Sequence, residues 1–144
     1  MKSYRPFITE NFIWDFPTHF NLKEVSEFLG QEIDPTTRYI SNTAKTIMRN
    51  DGIYWLVKRK HSEQIVGLIT LSDLDLDNHQ AALMVTFKNL SDNEKQEISK
   101  RLLVFLRDQI SLQTILINDL DRIVQENFIN YGYNTSNKNI LKRS

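Results

Sequence analysis

Apolar residues recur along this chain with two different periods, and the switches between them divide it into elements. Phe12, Trp14 and Phe16 alternate with Ile13 and Asp15, which predicts a first strand that stops at Pro17. Asn21-Leu22-Lys23-Glu24 then has the form of a capping box. Behind it Leu22, Val25, Phe28 and Leu29 make a helical stripe that ends at Gly30. Residues 36–49 predict a second helix with Tyr39, Ile40, Thr43 and Ile47 on one face, closed by a turn at Asn50-Asp51-Gly52.

The period then changes to two. Residues 53–59 and 64–71 are rich in β-branched and aromatic side chains and are joined by a polar loop, as expected of an antiparallel pair. A second hairpin follows, with residues 73–79 as its loop and 81–87 as the returning strand. Ile98, Leu102, Phe105, Leu106 and Ile110 restore the helical period over 94–110. Residues 114–117 form a short apolar run. A helix crosses between them and 81–87, so the two strands are expected to be parallel. A last helix over 119–130 carries Leu120, Ile123, Val124, Phe128 and Ile129 inward and stops near Gly132, and the tail has room for one stubby strand. The predicted class is α+β, with a mixed, mostly antiparallel sheet of about six strands flanked by about four helices.

Composition narrows the function classes. A chain of 144 residues is expected to form a single domain over 1–144, long enough to bury a core. With 18 basic and 18 acidic side chains, no net field recruits nucleic acid or an anionic membrane. There is no cysteine, so disulfides, thiolate metal sites and thiol nucleophiles are excluded, which fits a cytoplasmic setting. No apolar run approaches the ~20 residues of a spanning helix, and Lys2, Arg5 and Glu10 are not followed by the apolar stretch of a signal peptide. His19, His61 and His79 have no ligand spacing, so no metal is expected. Asp73, Asp75 and Asp77 fail as a calcium loop, because Asn78 stands where glycine belongs and Met84 where glutamate belongs. On a strand the three would share one face, either a solvated hairpin tip or a docking edge for a cationic acceptor. Trp14, Phe16 and Phe20 read as core, or as the lining of an acceptor pocket.

The stretches YWLVKRKHSEQIVGLITLSDLDLDNHQAALMV (54–85) and ENFINYGYN (126–134), in this order of elements, resemble the GCN5-related N-acetyltransferase (GNAT) superfamily, and most closely its ribosomal-protein-alanine acetyltransferase type. The matching residues are the aromatic-led strand, Gly67, Leu71 and the Gly132-Tyr133 pair. The resemblance implies a single acyl-CoA N-acyltransferase-like domain whose sheet splays apart after the strand at 81–87. Acetyl-CoA is the cofactor it implies, and the acceptor is the primary amine of a small molecule or of a protein N-terminus. A homodimer is compatible with it. The pantetheine arm would lie against the backbone of Leu83, Val85 and Phe87. Lys88, Asn89 and Lys95 would stand near the diphosphate, at the start of the following helix.

That helix start departs from the superfamily's pattern. In place of a glycine-rich phosphate loop, the chain has no glycine between Gly67 and Gly132 and carries Ser91-Asp92-Asn93-Glu94, an S-x-x-E capping box that uses amides a phosphate would need. Asp92 and Glu94 beside a diphosphate would cost roughly 2–4 kcal/mol, about 30- to 1,000-fold in affinity. The resemblance also implies a glutamate base on 81–87, where no carboxylate occurs. It implies a tyrosine acid at the position of Phe128 and an asparagine at that of Asp121. Tyr131 and Tyr133 read as packing aromatics. Catalytic residues therefore stay unassigned. Three readings remain open: a transferase with an atypical diphosphate site, a non-catalytic relative that binds or regulates a partner without coenzyme A, and a fold holding some other ligand in the splayed cleft.

Overall fold

A computed structural model describes residues 6–143; Lys2 and Arg5 lie outside the described residues. Eight strands form one mixed sheet in the order β1-β2-β3-β4-β5-β6-β8-β7. The strands are β1 (Phe7–Ile8), β2 (Phe12–Asp15), β3 (Ile53–Arg59), β4 (Ile65–Asp75), β5 (Gln80–Phe87), β6 (Thr114–Ile117), β7 (Asn134–Asn137) and β8 (Ile140–Lys142). The helices are α1 (Leu22–Leu29), α2 (Ile33–Met48), α3 (Asp92–Leu103) and α4 (Arg122–Asn130). Every neighbouring pair in the sheet is antiparallel except β5 and β6.

Alternation along the strands sends side chains to two cores. Trp55, Val57, Ile69, Leu71, Ala81 and Leu83 face α3 and α4, where they meet Ile98, Leu102, Val124 and Phe128. Leu56 and Ile65 face the other way, onto Val25 and Phe28 of α1. A bulge reconciles the two faces. Val57 opposes Gly67 and Lys58 opposes Ile65, so Val66 is the extra residue, and it packs with the α3 core. Trp14 and Trp55 meet edge to face, 5.9 Å between centroids, and both are fully buried. Trp14 is thus core.

The caps form where the side chains predict them. Asn21 accepts from the amides of Lys23 and Glu24, and α1 closes on Gly30 in the left-handed region, φ 65°. The helix beginning at Asp92 widens after Leu103 into a π-helical turn, Val104–Gln109, that keeps Phe105 and Leu106 buried.

Two differences from the expected strand count have local causes. Phe7 and Ile8 add an edge strand against Trp14 and Ile13. The tail folds into a hairpin rather than one strand, with Asn134 opposite Lys142 and β8 bonded to β6. The acidic tip also differs from a regular strand. A register shift between Ser72 and Asp75, with Asp73 at φ 49°, breaks the alternation, so the three carboxylates form no row. Asp75 instead accepts from the backbone and side-chain nitrogens of Asn78 at 3.1 and 2.7 Å.

Candidate functional site: the cleft between β5 and β6

The parallel pair opens because each strand follows its outer partner. β5 stays bonded to β4 along its whole length, to Phe87 opposite Gly67. β6 runs beside β5 only from Gln80↔Thr114 to Leu83↔Ile117. It is held on its far side by β8, and the Ile117 amide donates to the Asn139 carbonyl at 2.8 Å. Past Leu83 the two strands part, and the edge of residues 84–87 that faces away from β4 has no strand partner. The Lys88 amide donates toward β4, to Val66 O at 2.8 Å. Backbone groups alternate sides along a strand, so those of Val85 and Phe87 face the gap.

The gap is a cleft of about 360 Å³, lined by Val85, Thr86, Phe87, Asn89, Leu90, Lys95, Asp119 and Asp121. It lies at the carboxyl ends of two adjacent parallel strands, where the chain runs from β5 into α3 and from β6 into α4. That is the crevice in which α/β sheets hold ligands.

The residues expected at the cofactor separate on this geometry. Val85, Phe87, Asn89 and Lys95 line the cleft. Leu83 sits at its closed end, buried and still paired with Ile117. The Lys88 side chain runs to the opposite face of the sheet, where its ammonium donates to Phe28 O and stands 4.6 Å from the Phe28 ring centroid. It lines a separate groove with Glu24, Glu27 and Gln64.

The start of α3 is capped as its sequence predicts. Ser91 Oγ accepts from the Glu94 amide at 3.3 Å, and Glu94 Oε1 accepts from the Ser91 amide at 3.0 Å. Arg59, from the end of β3, pairs with the Glu94 carboxylate and donates to Asn89 O at 2.8 Å. The Arg59 hydrogen bond, followed by that of the Ser91 amide, holds the Glu94 carboxyl below the usual carboxylate range. This network lies outside the cleft: Glu94 lines an outer groove with Asn11, Arg59 and Lys60. Among the described residues nothing bonds the amides of Asp92 and Asn93, so the box occupies two of the first-turn donors and leaves two.

Two acids beyond the start of α3 line the cleft. Asp119, at φ 55°, forms the bend after β6. Asp121 is the N-cap of α4: Oδ1 accepts from the Ile123 amide at 2.8 Å, while Oδ2 accepts from Lys95 Nζ at 3.0 Å. Burial alone would raise the Asp121 carboxyl, but the Lys95 and Ile123 hydrogen bonds outweigh it, and the net shift is downward. The carboxylates that line the cleft are therefore Asp119 and Asp121, while Glu94 of the capping box faces the outer groove. Chain order hides this, because the position of Asp119 and Asp121 beside β5 depends on the distant β6–β8 pairing.

The aromatic residues at the end of α4 are structural. Phe128 is fully buried in the α3 core, whereas the neighbouring Ile129, expected inward, is exposed on the outer face of α4. Tyr133 is buried too, and its hydroxyl donates to Leu112 O at 2.6 Å, so its proton is engaged away from the cleft. Tyr131 packs at the edge of the core under Arg107, 5.3 Å from its ring centroid. Among the described residues no group of three or more His, Asp or Glu side chains is placed to hold a metal ion, and no helix is long and apolar enough to cross a membrane.

No protein-family model matches the sequence, and no curated protein matches it significantly. Solved structures do match in three dimensions. A ribosomal-protein-alanine acetyltransferase from Vibrio fischeri superposes with a TM-score of 0.72 at 9% identity, over 92% of this chain and 85% of that one. RimL, an alpha-N-protein acetyltransferase of ribosomal L7/L12, gives 0.72 at 7% identity over 99% and 97%. MccE, the microcin C7 self-immunity acetyltransferase solved with acetyl-CoA and AMP, gives 0.69 at 11% identity over 94% and 93%. At these identities the likeness is one of fold. The chain has the fold of the GCN5-related N-acetyltransferases.

Proposed function

We propose that the protein is a cytoplasmic acetyl-CoA-dependent N-acetyltransferase with an atypical diphosphate site. Its acceptor is a primary amine, on a small molecule or a protein N-terminus. The observation that carries this reading is the unpartnered edge of β5 at Val85 and Phe87, which faces a cleft whose size suits a pantetheine arm. MccE, which shares the fold, was solved with acetyl-CoA. The residues fit one end of this cofactor better than the other. The β5 edge offers the amide and carbonyl groups that an amide-bearing arm pairs with. The diphosphate end is met by Lys95, against the carboxylates of Asp119 and Asp121.

When bound, acetyl-CoA supplies a reactive thioester carbonyl. The Val85 and Phe87 amides orient the arm and hold that carbonyl in register for an amine. Strand β5 has no carboxylate, so water would take the proton lost by the amine and return one to the departing coenzyme A thiolate. Asp119 is the carboxylate of the cleft that makes no ion pair among the described residues.

Titration calorimetry with acetyl-CoA, paired with thermal denaturation, tests the reading. Binding heat and a raised melting temperature are expected. No heat and an unchanged melting temperature at millimolar acetyl-CoA would remove it. One set of observations favours the alternative, a non-catalytic relative without coenzyme A binding: Asp119 and Asp121 line the cleft, and Phe128, where the resemblance implies a tyrosine acid, is fully buried. That alternative expects a partner complex whose melting temperature ignores coenzyme A.

A further inference from the structure

Lys95 and Asp121 join the starts of α3 and α4 across the cleft, each about 23% exposed. We propose that this ion pair is an exchangeable gate that makes the cleft selective for ligands with an anionic end. Lys95 leaves Asp121 for the ligand's diphosphate, and Asp121 stays in place as the cap of α4. The inference rests on the acetyl-CoA reading of the same cleft and adds what sets its affinity and selectivity.

The two oxygens of Asp121 divide the work. Oδ1 holds the Ile123 amide at 2.8 Å and Oδ2 holds Lys95 at 3.0 Å, so the second contact breaks without uncapping the helix. Lys95 lies one turn inside α3, where its own amide donates to Ser91 O at 3.0 Å. Its ammonium is therefore a mobile charge on a four-carbon stem anchored to fixed backbone. A ligand without a negative end cannot take the lysine from Asp121, and one with a diphosphate can. Part of the diphosphate's affinity is spent on that exchange.

Asp121→Asn isolates the exchange, because asparagine caps a helix as well as aspartate does and lacks the charge. Asp119→Asn is its control. It removes the same charge from the same cleft, at a positive φ that asparagine tolerates, and frees no cation, since Asp119 makes no ion pair among the described residues.

Coenzyme A and pantetheine are titrated into the whole protein and its variants by calorimetry, with melting temperatures confirming that each variant folds. Asp121→Asn should tighten coenzyme A by about tenfold and leave pantetheine unchanged. Asp119→Asn should tighten coenzyme A by about twofold or less. In a Lys95→Met background, which weakens coenzyme A by itself, Asp121→Asn should bring no further gain. Equal gains from the two asparagine variants, or a gain that survives Lys95→Met, would reduce the effect to charge repulsion and overturn the exchange. If wild type binds coenzyme A and Asp121→Asn binds it no better, the gate falls and the acetyl-CoA reading stands. If no variant binds coenzyme A, both fall.

Discussion

The helices that begin at Asp92 and Arg122 follow adjacent parallel strands, and a carboxylate takes part in the cap of each, Glu94 in one and Asp121 in the other, yet the two starts do different things. At α3 the Glu94 carboxylate is turned outward, bonded to the Ser91 amide and paired with Arg59 of β3. At α4 the Asp121 carboxylate is turned into the cleft and paired with Lys95 of the neighbouring helix. The first acid ties a helix to the sheet, and the second meters the charge of a site. Counting acids near a helix start therefore says little about the field a ligand meets there. What matters is the face each carboxylate presents and the cation already beside it.

The comparison breaks most visibly if the caps, rather than packing, hold the helices in place. Phe128→Ala empties a fully buried site beneath α4, and urea denaturation should show a loss of about 3–5 kcal/mol. A loss no larger than that of a cap variant would mean that α4 is only loosely seated. At α3, Arg59→Met and Ser91→Ala should each cost about 1 kcal/mol. The double variant should cost less than the sum, because both act through Glu94. Strict additivity would separate the cap from the ion pair. At α4, Asp121→Asn should change stability by less than about 0.5 kcal/mol, since the cap remains and only a solvent-accessible pair is lost.

Acid sharpens the contrast with the smallest effect. The Glu94 carboxyl is held below its ordinary range by Arg59 and the Ser91 amide. A carboxyl with a depressed folded pKa contributes stability above its unfolded value, about 4.3, and loses it as pH falls through the folded value. The gap in melting temperature between wild type and Glu94→Gln should therefore narrow below about pH 4. A gap that stays constant down to pH 2 would show that the carboxylate's charge contributes nothing.

Local signals in the sequence specify the elements whose cause is local. The strand Ile53–Arg59 and the run Thr114–Ile117 appear at their expected bounds, and Asn21 and Ser91 cap the helices they precede. What escaped depends on pairings distant in sequence. Asn134–Asn137 is polar and exposed throughout, with no alternation to mark it, and becomes a strand only because Ile140–Lys142 is recruited by β6. Arg59 reaches Glu94 across 35 residues of chain, and Lys95 reaches Asp121 across 26. Lys88 looked like a cleft residue by position, but strand alternation turns its side chain to Phe28 on the other face.

The account rests on the claim that the open edge of β5 receives the ligand. Amide-resolved NMR during a titration with acetyl-CoA tests it most directly. The amide signals of Val85 and Phe87 should shift and their hydrogen exchange should slow, while those of Leu56 and Ile65 on the α1 face stay still. Unmoved signals at Val85 and Phe87 under saturating acetyl-CoA, or shifts confined to the α1 face, would contradict it.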